Sequence, residues 1–209
     1  EHIVNYKLYY APGTASMCIR ALLEEIGEPY ELIPTTTDRL KSRPEEQIKI
    51  NPNGWVPVLS WDDGAMYECA AITIFLCDRY PKAKLAPKLE ASERSLFLQT
   101  LLYFASSVQI AFQLDYHPYR FADKPEDERS AQRRGHLRLR ETWKVVNDQI
   151  GDNHWILGDV FSAADIYLYM LTTWLNQSRG HPAIEEFPNV QRIADEVAKR
   201  ESIRKVYGL

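Results

Sequence analysis

The chain has 209 residues, with 25 basic against 29 acidic side chains, enough for one large domain or two small ones with real cores. That near-even balance, without a basic stripe, argues against nucleic acid as a partner. The opening residues lack the pattern of a secretory leader, and no apolar run approaches the roughly 18 residues of a membrane span. Three cysteines, Cys18, Cys69 and Cys77, form neither a CxxC pair nor a metal-ligand spacing with the five histidines. Composition therefore leads us to expect a soluble cytoplasmic protein without membrane or metal.

Residues 6–10 read as a strand that stops at the Pro12-Gly13 turn signal. Met17, Ile19, Leu22, Leu23 and Ile26 then recur at helical spacing over 16–26, with Gly27 placed just past the end. Residues 30–34 form a second strand, giving a β-α-β unit with an expected right-handed crossover. An irregular stretch follows. Residues 56–61 and 65–67 flank the hairpin signal Asp62-Asp63-Gly64, and 70–80 reads as a helix stopped by Pro81. Prolines bracket a lysine-rich, non-periodic segment over 81–87. Beyond it the strand signals largely vanish. Apolar helix fills 91–122, broken at His117-Pro118, and a charged helix over 126–150 is expected to bury Leu137, Leu139, Trp143, Val146 and Ile150. An almost wholly apolar helix over 163–178 and a last helix over 190–200 complete the chain.

Asn51-Pro52-Asn53-Gly54 turns the chain into Trp55-Val56-Pro57-Val58-Leu59. Proline has no N–H for a ladder, so Val56-Pro57 belongs at a strand's start or edge, and a Val-Pro bond in such a turn suits a cis peptide. Its backbone is then turned toward a ligand instead of a neighbouring strand. Shortly afterwards Glu68 opens an apolar helix whose first N–H groups form an anion site. Together the two elements read as a peptide-binding cleft. In 158–166, Ser162 and Asp165 have the spacing of a capping box, with Phe161 and Ile166 placed as a hydrophobic staple; that motif serves folding.

Three motifs in this order resemble the cytosolic glutathione transferases, specifically bacterial members with a serine-type site. Asn51 to Leu59 matches N-P-x-G-x-V-P-x-L. Glu68-Cys69-Ala70-Ala71-Ile72, ending in Tyr80-Pro81, resembles the family's E-S-x-A-I helix start, and Gly158 to Ile166 resembles its G-x-x-x-[ST]-x-A-D box. The resemblance spans nearly the whole chain. It implies an α/β plus all-α fold: a thioredoxin-like β-α-β-α-β-β-α domain over 1–81, a linker over 82–90, and an all-helical domain over 91–209 completing the electrophile pocket. It also implies a transferase with glutathione as co-substrate, a small apolar or aromatic electrophile as partner, and a homodimer.

By the same resemblance, Val56 pairs with the cysteinyl part of glutathione through its main chain while Pro57 holds the geometry. Glu68 draws the γ-glutamyl ammonium, and Cys69 stands where a serine is expected, so binding is retained but weakened, the thiol being a poor donor. At a helix start Cys69 is either reactive or simply buried. Arg39, with Lys41, stands where a cation meets the glycyl carboxylate. Catalysis requires a donor that stabilises the glutathione thiolate. Ser16, four residues before Arg20, is the first choice, Tyr10 the second, and Thr14 or backbone donors the remainder. Ala15 occupies the position of the cysteine in members that form mixed disulfides, which disfavours that chemistry. Pro12, Tyr103, Phe104, Ser107 and Tyr116, within an aromatic region that includes His117, Tyr119 and Phe121, are the expected electrophile contacts. The alternatives are a non-catalytic binding or interaction protein, and a thiol transferase or ether-cleaving enzyme using Cys18 or Cys69.

Overall fold

The computed structural model describes residues 4–209. The chain divides into two compact units, one running to Ala86 and taking in Lys199–Leu209, the other Pro87–Ala198. In the first unit, β1 (Tyr6–Tyr10), α1 (Ser16–Ile26), β2 (Tyr30–Pro34), α2 (Glu45–Ile50), β3 (Val58–Trp61), β4 (Gly64–Tyr67) and α3 (Cys69–Arg79) follow in chain order. The sheet order is β2-β1-β3-β4, with β1 parallel to β2 and antiparallel to β3, and β3 antiparallel to β4. α1 buries Met17, Cys18, Ile19, Ala21, Leu22 and Leu23, and ends at Gly27 (φ 81°), whose N–H bonds the Leu23 carbonyl at 2.9 Å. Only glycine takes that left-handed turn without cost. The segment expected to be irregular contains α2, a helix of six residues, too short for its period to show in the sequence.

The second unit is helical: α4 (Glu93–Tyr103), a π turn (Phe104–Val108), α5 (Gln109–Tyr116), α6 (Glu128–Ile150), α7 (Ala163–Thr172) and α8 (Pro188–Val197). Glu93–Tyr116 forms one continuous run that is long and apolar enough to cross a membrane, contrary to the sequence expectation. Here Phe97, Leu101, Phe104, Val108, Ala111 and Phe112 of that run are core residues. α5 and α6 approach closely at Gly135, where a Cβ would lie 2.8 Å from Leu114 Cβ and 3.0 Å from the Ala111 carbonyl oxygen. On α6, Leu139, Trp143, Val146 and Ile150 are buried as expected, but Leu137 is 53% exposed. Two residues before Leu139, it lies on the opposite side of the helix.

α7 is shorter than its apolar run. Past Leu171, the Thr172 and Thr173 hydroxyls each donate to a carbonyl three residues back, at 2.6 Å, and the helix gives way. Its start is the capping box: the Ser162 hydroxyl accepts from Ala164 N–H at 3.2 Å, and Asp165 accepts from Ser162 N–H at 2.9 Å. Asp165 also accepts from Ile156 N–H at 3.0 Å, tying the preceding loop to the helix. Beyond the last expected helix, over 190–200, the stretch assigned to the helical domain contains a further helix, α9 (Glu201–Tyr207), that belongs to the first unit. Arg200 holds Glu25 of α1 at 2.7 and 2.9 Å, Ser202 bonds Glu25 at 2.6 Å, and Lys205 holds Glu24 at 2.7 Å.

Candidate functional site

The site is built from main chain. In the turn after α2, Gly54 N–H bonds the Asn51 carbonyl at 2.8 Å, and Asn51 Oδ1 accepts from Asn53 N–H at 3.2 Å. Arg43 Nε donates to the Gly54 carbonyl at 2.6 Å and Asn51 Nδ2 to the Trp55 carbonyl at 3.3 Å. The chain then reaches Val56-Pro57, the cis peptide. β3 begins only at Val58, paired with Tyr9 and Tyr67. Val56 lies outside that ladder, and among the described residues its N–H and C=O make no hydrogen bond. Unpaired main chain just ahead of a strand, where the ladder stops, can pair with a peptide.

Glu68, the residue before α3, is exposed and has φ 80° and ψ 111°. A non-glycine residue in that region carries about 1–3 kcal/mol of strain, which persists where the surroundings or a ligand require it. No side chain caps the first turn of α3, so its leading N–H groups face outward with the helix dipole behind them. Cys69 departs from the role expected of its side chain. It is 4% exposed and its Sγ sits 3.6 Å from the Ala15 carbonyl oxygen, turned into the contact with α1. Cys18 of α1 lies beside it; burial, then Cys69 itself, pushes the Cys18 thiol well above its ordinary value. Both thiols are packed core groups. At position 69 only the backbone N–H is left for an anion.

The loop between β1 and α1 carries the hydroxyls. Ser16 is fully buried, and its Oγ accepts from Ala11 N–H at 3.2 Å and can donate to the Ala11 carbonyl at 3.1 Å. Thr14 Oγ1 lies 2.6 Å from Ser16 Oγ and 2.7 Å from the Ala11 carbonyl oxygen, and accepts from Ser16 N–H at 3.2 Å. Thr14 is partly exposed; Ser16 is sealed behind it. Tyr10, part-buried, donates its hydroxyl to Met17 Sδ at 3.0 Å and accepts from Arg20 at 3.2 Å, with the guanidinium over its ring at 5.2 Å. Pro12 is exposed, as is Arg39, on a turn where Lys41 and Asp38 pair at 3.9 Å.

Of the electrophile contacts expected in the second unit, Tyr103 and Ser107 are part-exposed, one turn apart. Phe104 is fully buried against Tyr167, 5.5 Å between ring centroids, so its ring belongs to the core and not to a pocket wall. Tyr116 is committed elsewhere. Its hydroxyl donates to the Trp174 carbonyl at 2.6 Å, and Arg179 lies over its ring at 4.7 Å.

Beside Tyr116 is a cluster that spacing in the sequence did not reveal. Asp115 of α5, 2% exposed, accepts from His136 at 2.9 Å, from His181 at 2.8 Å and from Arg179 Nε at 2.7 Å. The Asp115, His136 and His181 ligand atoms lie within 4.8 Å of one another, close enough to surround a metal ion. The protons argue otherwise. His181 Nδ1 accepts from Asn176 N–H at 3.1 Å, so Nδ1 is the bare nitrogen and Nε2 carries the proton it gives to Asp115. A metal at Nε2 would need that proton removed, while the Arg179 guanidinium already neutralises the carboxylate. The donor set fits an ion-pair network that ties α5, α6 and the loop before α8 together.

Residues 15–79 match the glutathione S-transferase N-terminal domain, and residues 96–201 match the glutathione S-transferase C-terminal domain. The chain is 31% identical over 172 residues to glutathione S-transferase GstA of Escherichia coli O157:H7, covering 80% of this chain and 81% of that protein. The structure of a sphingomonad glutathione S-transferase complexed with glutathione superposes at TM-score 0.83 and 25% identity, covering 97% of both chains. A glutathione transferase homologue from Sulfitobacter with bound glutathione shares the fold at TM-score 0.88 and 24% identity, again over 97% of both chains. Two domain matches in the right order and a relative above 30% identity agree with the cis-proline turn and the strained helix start: the chain belongs to the glutathione S-transferase family.

Proposed function

We propose that this chain is a glutathione transferase that binds glutathione in the first unit and stabilises its thiolate for attack on a small apolar or aromatic electrophile. The observation that carries the reading is the unpaired Val56 main chain beside the cis Val56-Pro57 bond, with Glu68 held at positive φ over the uncapped start of α3. Val56 pairs with the cysteinyl part, Glu68 attracts the γ-glutamyl ammonium, and the Cys69 N–H with the helix dipole takes the carboxylate. Arg39 is assigned to the glycyl carboxylate, and Pro12 to the electrophile.

For the chemistry we assign the donor to Thr14, with Ser16 behind it. The two hydroxyls own two protons, and the Ala11 carbonyl needs one of them. With Ser16 donating to Ala11, the Thr14 proton is released to the sulfur; with Ser16 donating to Thr14, the Thr14 proton goes to Ala11 and none is left for the thiolate, so the assignment takes the first arrangement. In that arrangement the part-exposed hydroxyl serves the thiolate and the buried one satisfies the Ala11 carbonyl. Tyr10, held by Met17 and Arg20, ranks behind Thr14. The thiol transferase alternative loses support because Cys18 and Cys69 are 1% and 4% exposed and Ala15 carries no nucleophile. A cytoplasmic homodimer completes the proposal.

Ultraviolet difference titration of bound glutathione tests it. Thiolate absorbance should appear near or below pH 7, since the free thiol titrates higher, at roughly 8.5 or above. No glutathione bound at millimolar concentration would sink the reading, and binding with an unshifted thiol would leave a non-catalytic binding protein.

A further inference from the structure

Gln47 is a glutamine with no exposed surface on a six-residue helix whose other residues are all at least partly exposed. A buried amide must be hydrogen-bonded to avoid a large desolvation cost, and its partners here are specific. Its Nε2 donates to the Gly54 carbonyl at 3.2 Å and the Trp55 carbonyl at 3.4 Å, and its Oε1 accepts from the Thr35 hydroxyl at 2.5 Å. Carbonyls only accept, so the amide orientation is fixed by its surroundings. The Trp55 carbonyl is drawn toward α2 by Gln47 and Asn51 together.

The next peptide follows from planarity. The bond between Trp55 and Val56 is trans, since Val56-Pro57 is the cis bond among the described residues. In a trans peptide the N–H points opposite to the preceding C=O. Holding the Trp55 carbonyl toward α2 therefore aims the Val56 N–H away from α2. Val56 itself makes no hydrogen bond that would set its direction. The same glutamine reaches, through Thr35, the residue after β2, whose N–H bonds the Tyr10 carbonyl at 3.0 Å. It thus ties the turn before Val56 to the end of β1, where the loop holding Thr14 begins.

From this we infer that Gln47 is a positioning residue for glutathione: it aims the Val56 N–H at the cysteinyl carbonyl without touching the ligand. The inference rests on the glutathione reading above. The test uses the full chain with Gln47→Met, which keeps the volume and loses every bond, and Gln47→Glu, which keeps the Thr35 bond but sets an oxygen against two carbonyls. Both should weaken glutathione binding by calorimetry, and raise its KM, at least 10-fold. The KM for an aryl halide such as 1-chloro-2,4-dinitrobenzene should stay within 3-fold, as should kcat at saturating glutathione. Thr35→Val, which leaves the carbonyl clamp in place, should cost no more than 3-fold in glutathione affinity. If wild-type chain binds no glutathione, the functional reading fails and takes this one with it. If wild type binds while folded Gln47→Met or Gln47→Glu binds within 2-fold of it, or if both KM values rise together, Gln47 is a structural residue only. Should Gln47→Met not fold, Gln47→Glu decides alone.

Discussion

The proposed glutathione site of the first unit and the Asp115 cluster of the second are opposites in how their polar groups are used. Around Asp115, every oxygen of a buried carboxylate has a donor, and even the spare nitrogen of His181 has its own backbone N–H. Around Val56 and Glu68 the main chain is unpaired or held at a backbone angle it would not choose. The first looks more like a functional site, with two histidines and an acid gathered together. The second is where the function is proposed. A polar network that is complete within the chain has nothing left to offer a ligand, whereas unpaired backbone beside a strained helix start has.

The strongest way to break that contrast is to remove Asp115. Asp115→Ala leaves Arg179 without its counter-charge and the His181 Nε2–H without its acceptor; loss of one partner of a buried pair costs on the order of 3 kcal/mol, the low end because Arg179 is 38% exposed on its side chain. For a chain of this length the melting temperature should drop by roughly 6–12 °C. Glutathione affinity of the folded protein should not change. A loss of affinity with no loss of stability would mean that the cluster is functional after all.

Thr14 and Ser16 sharpen the contrast inside one loop. Thr14→Val removes the exposed donor, and kcat should fall on the order of 100-fold, with the bound thiol titrating closer to free glutathione. Ser16→Ala should do the reverse, lowering stability by roughly 1–3 kcal/mol because Ala11 loses a buried partner, with a smaller effect on kcat. If Ser16→Ala abolishes thiolate formation while Thr14→Val does not, the assignment is inverted.

These two residues also mark the limit of what the sequence discloses. The turn at Asn51, the cis proline and the acid before α3 are local features, written in consecutive residues whose backbone preferences are strong, and all three appear where the sequence places them. The direction of a side chain is not local. Nothing in Ala15-Ser16-Met17 says that Ser16 faces inward while Thr14 faces outward, and nothing in Glu68-Cys69 says that the thiol turns toward α1. Gln47 lies in a helix too short to carry a period, and Asp115 and His181 are brought together across 66 residues by the packing of the second unit. α9 lies beyond the last helix that the sequence discloses, its seven residues being too few to carry a clear period.

A smaller effect tests the strain at Glu68. Glu68→Gly keeps the backbone angle without the steric cost, so stability should rise by about 1 kcal/mol, the strain relieved less the added freedom of glycine in the unfolded chain. Glutathione affinity should fall, because the carboxylate for the γ-glutamyl ammonium is gone. A gain in both would detach Glu68 from the ligand.

The mildest probe is pH, and its sign follows from three groups of the second unit. His117 is held down to about 4, by burial first and then by the Arg120 charge. His181 is lowered too, burial outweighing the opposing pull of Asp115. Burial pushes Asp115 up, but the hydrogen bonds from Arg179, His136 and His181 outweigh it and leave the carboxyl below its ordinary value. In all three the folded pKa is depressed, so the unfolded chain binds more protons in the window between the two values and stability rises with pH there. Their contribution is present in full above the unfolded histidine value of about 6.5 and is lost as pH falls. Melting temperature should therefore change little between pH 7 and 8, decline from 6.5 toward 4 as the two histidines take up protons, and steepen below about 3.9 as Asp115 follows. His117→Asn should flatten the upper part of that decline and leave the Asp115 step in place. If the decline keeps its slope in His117→Asn, the burial of that imidazole contributes nothing to the acid sensitivity. His181 would then be the histidine that sets it.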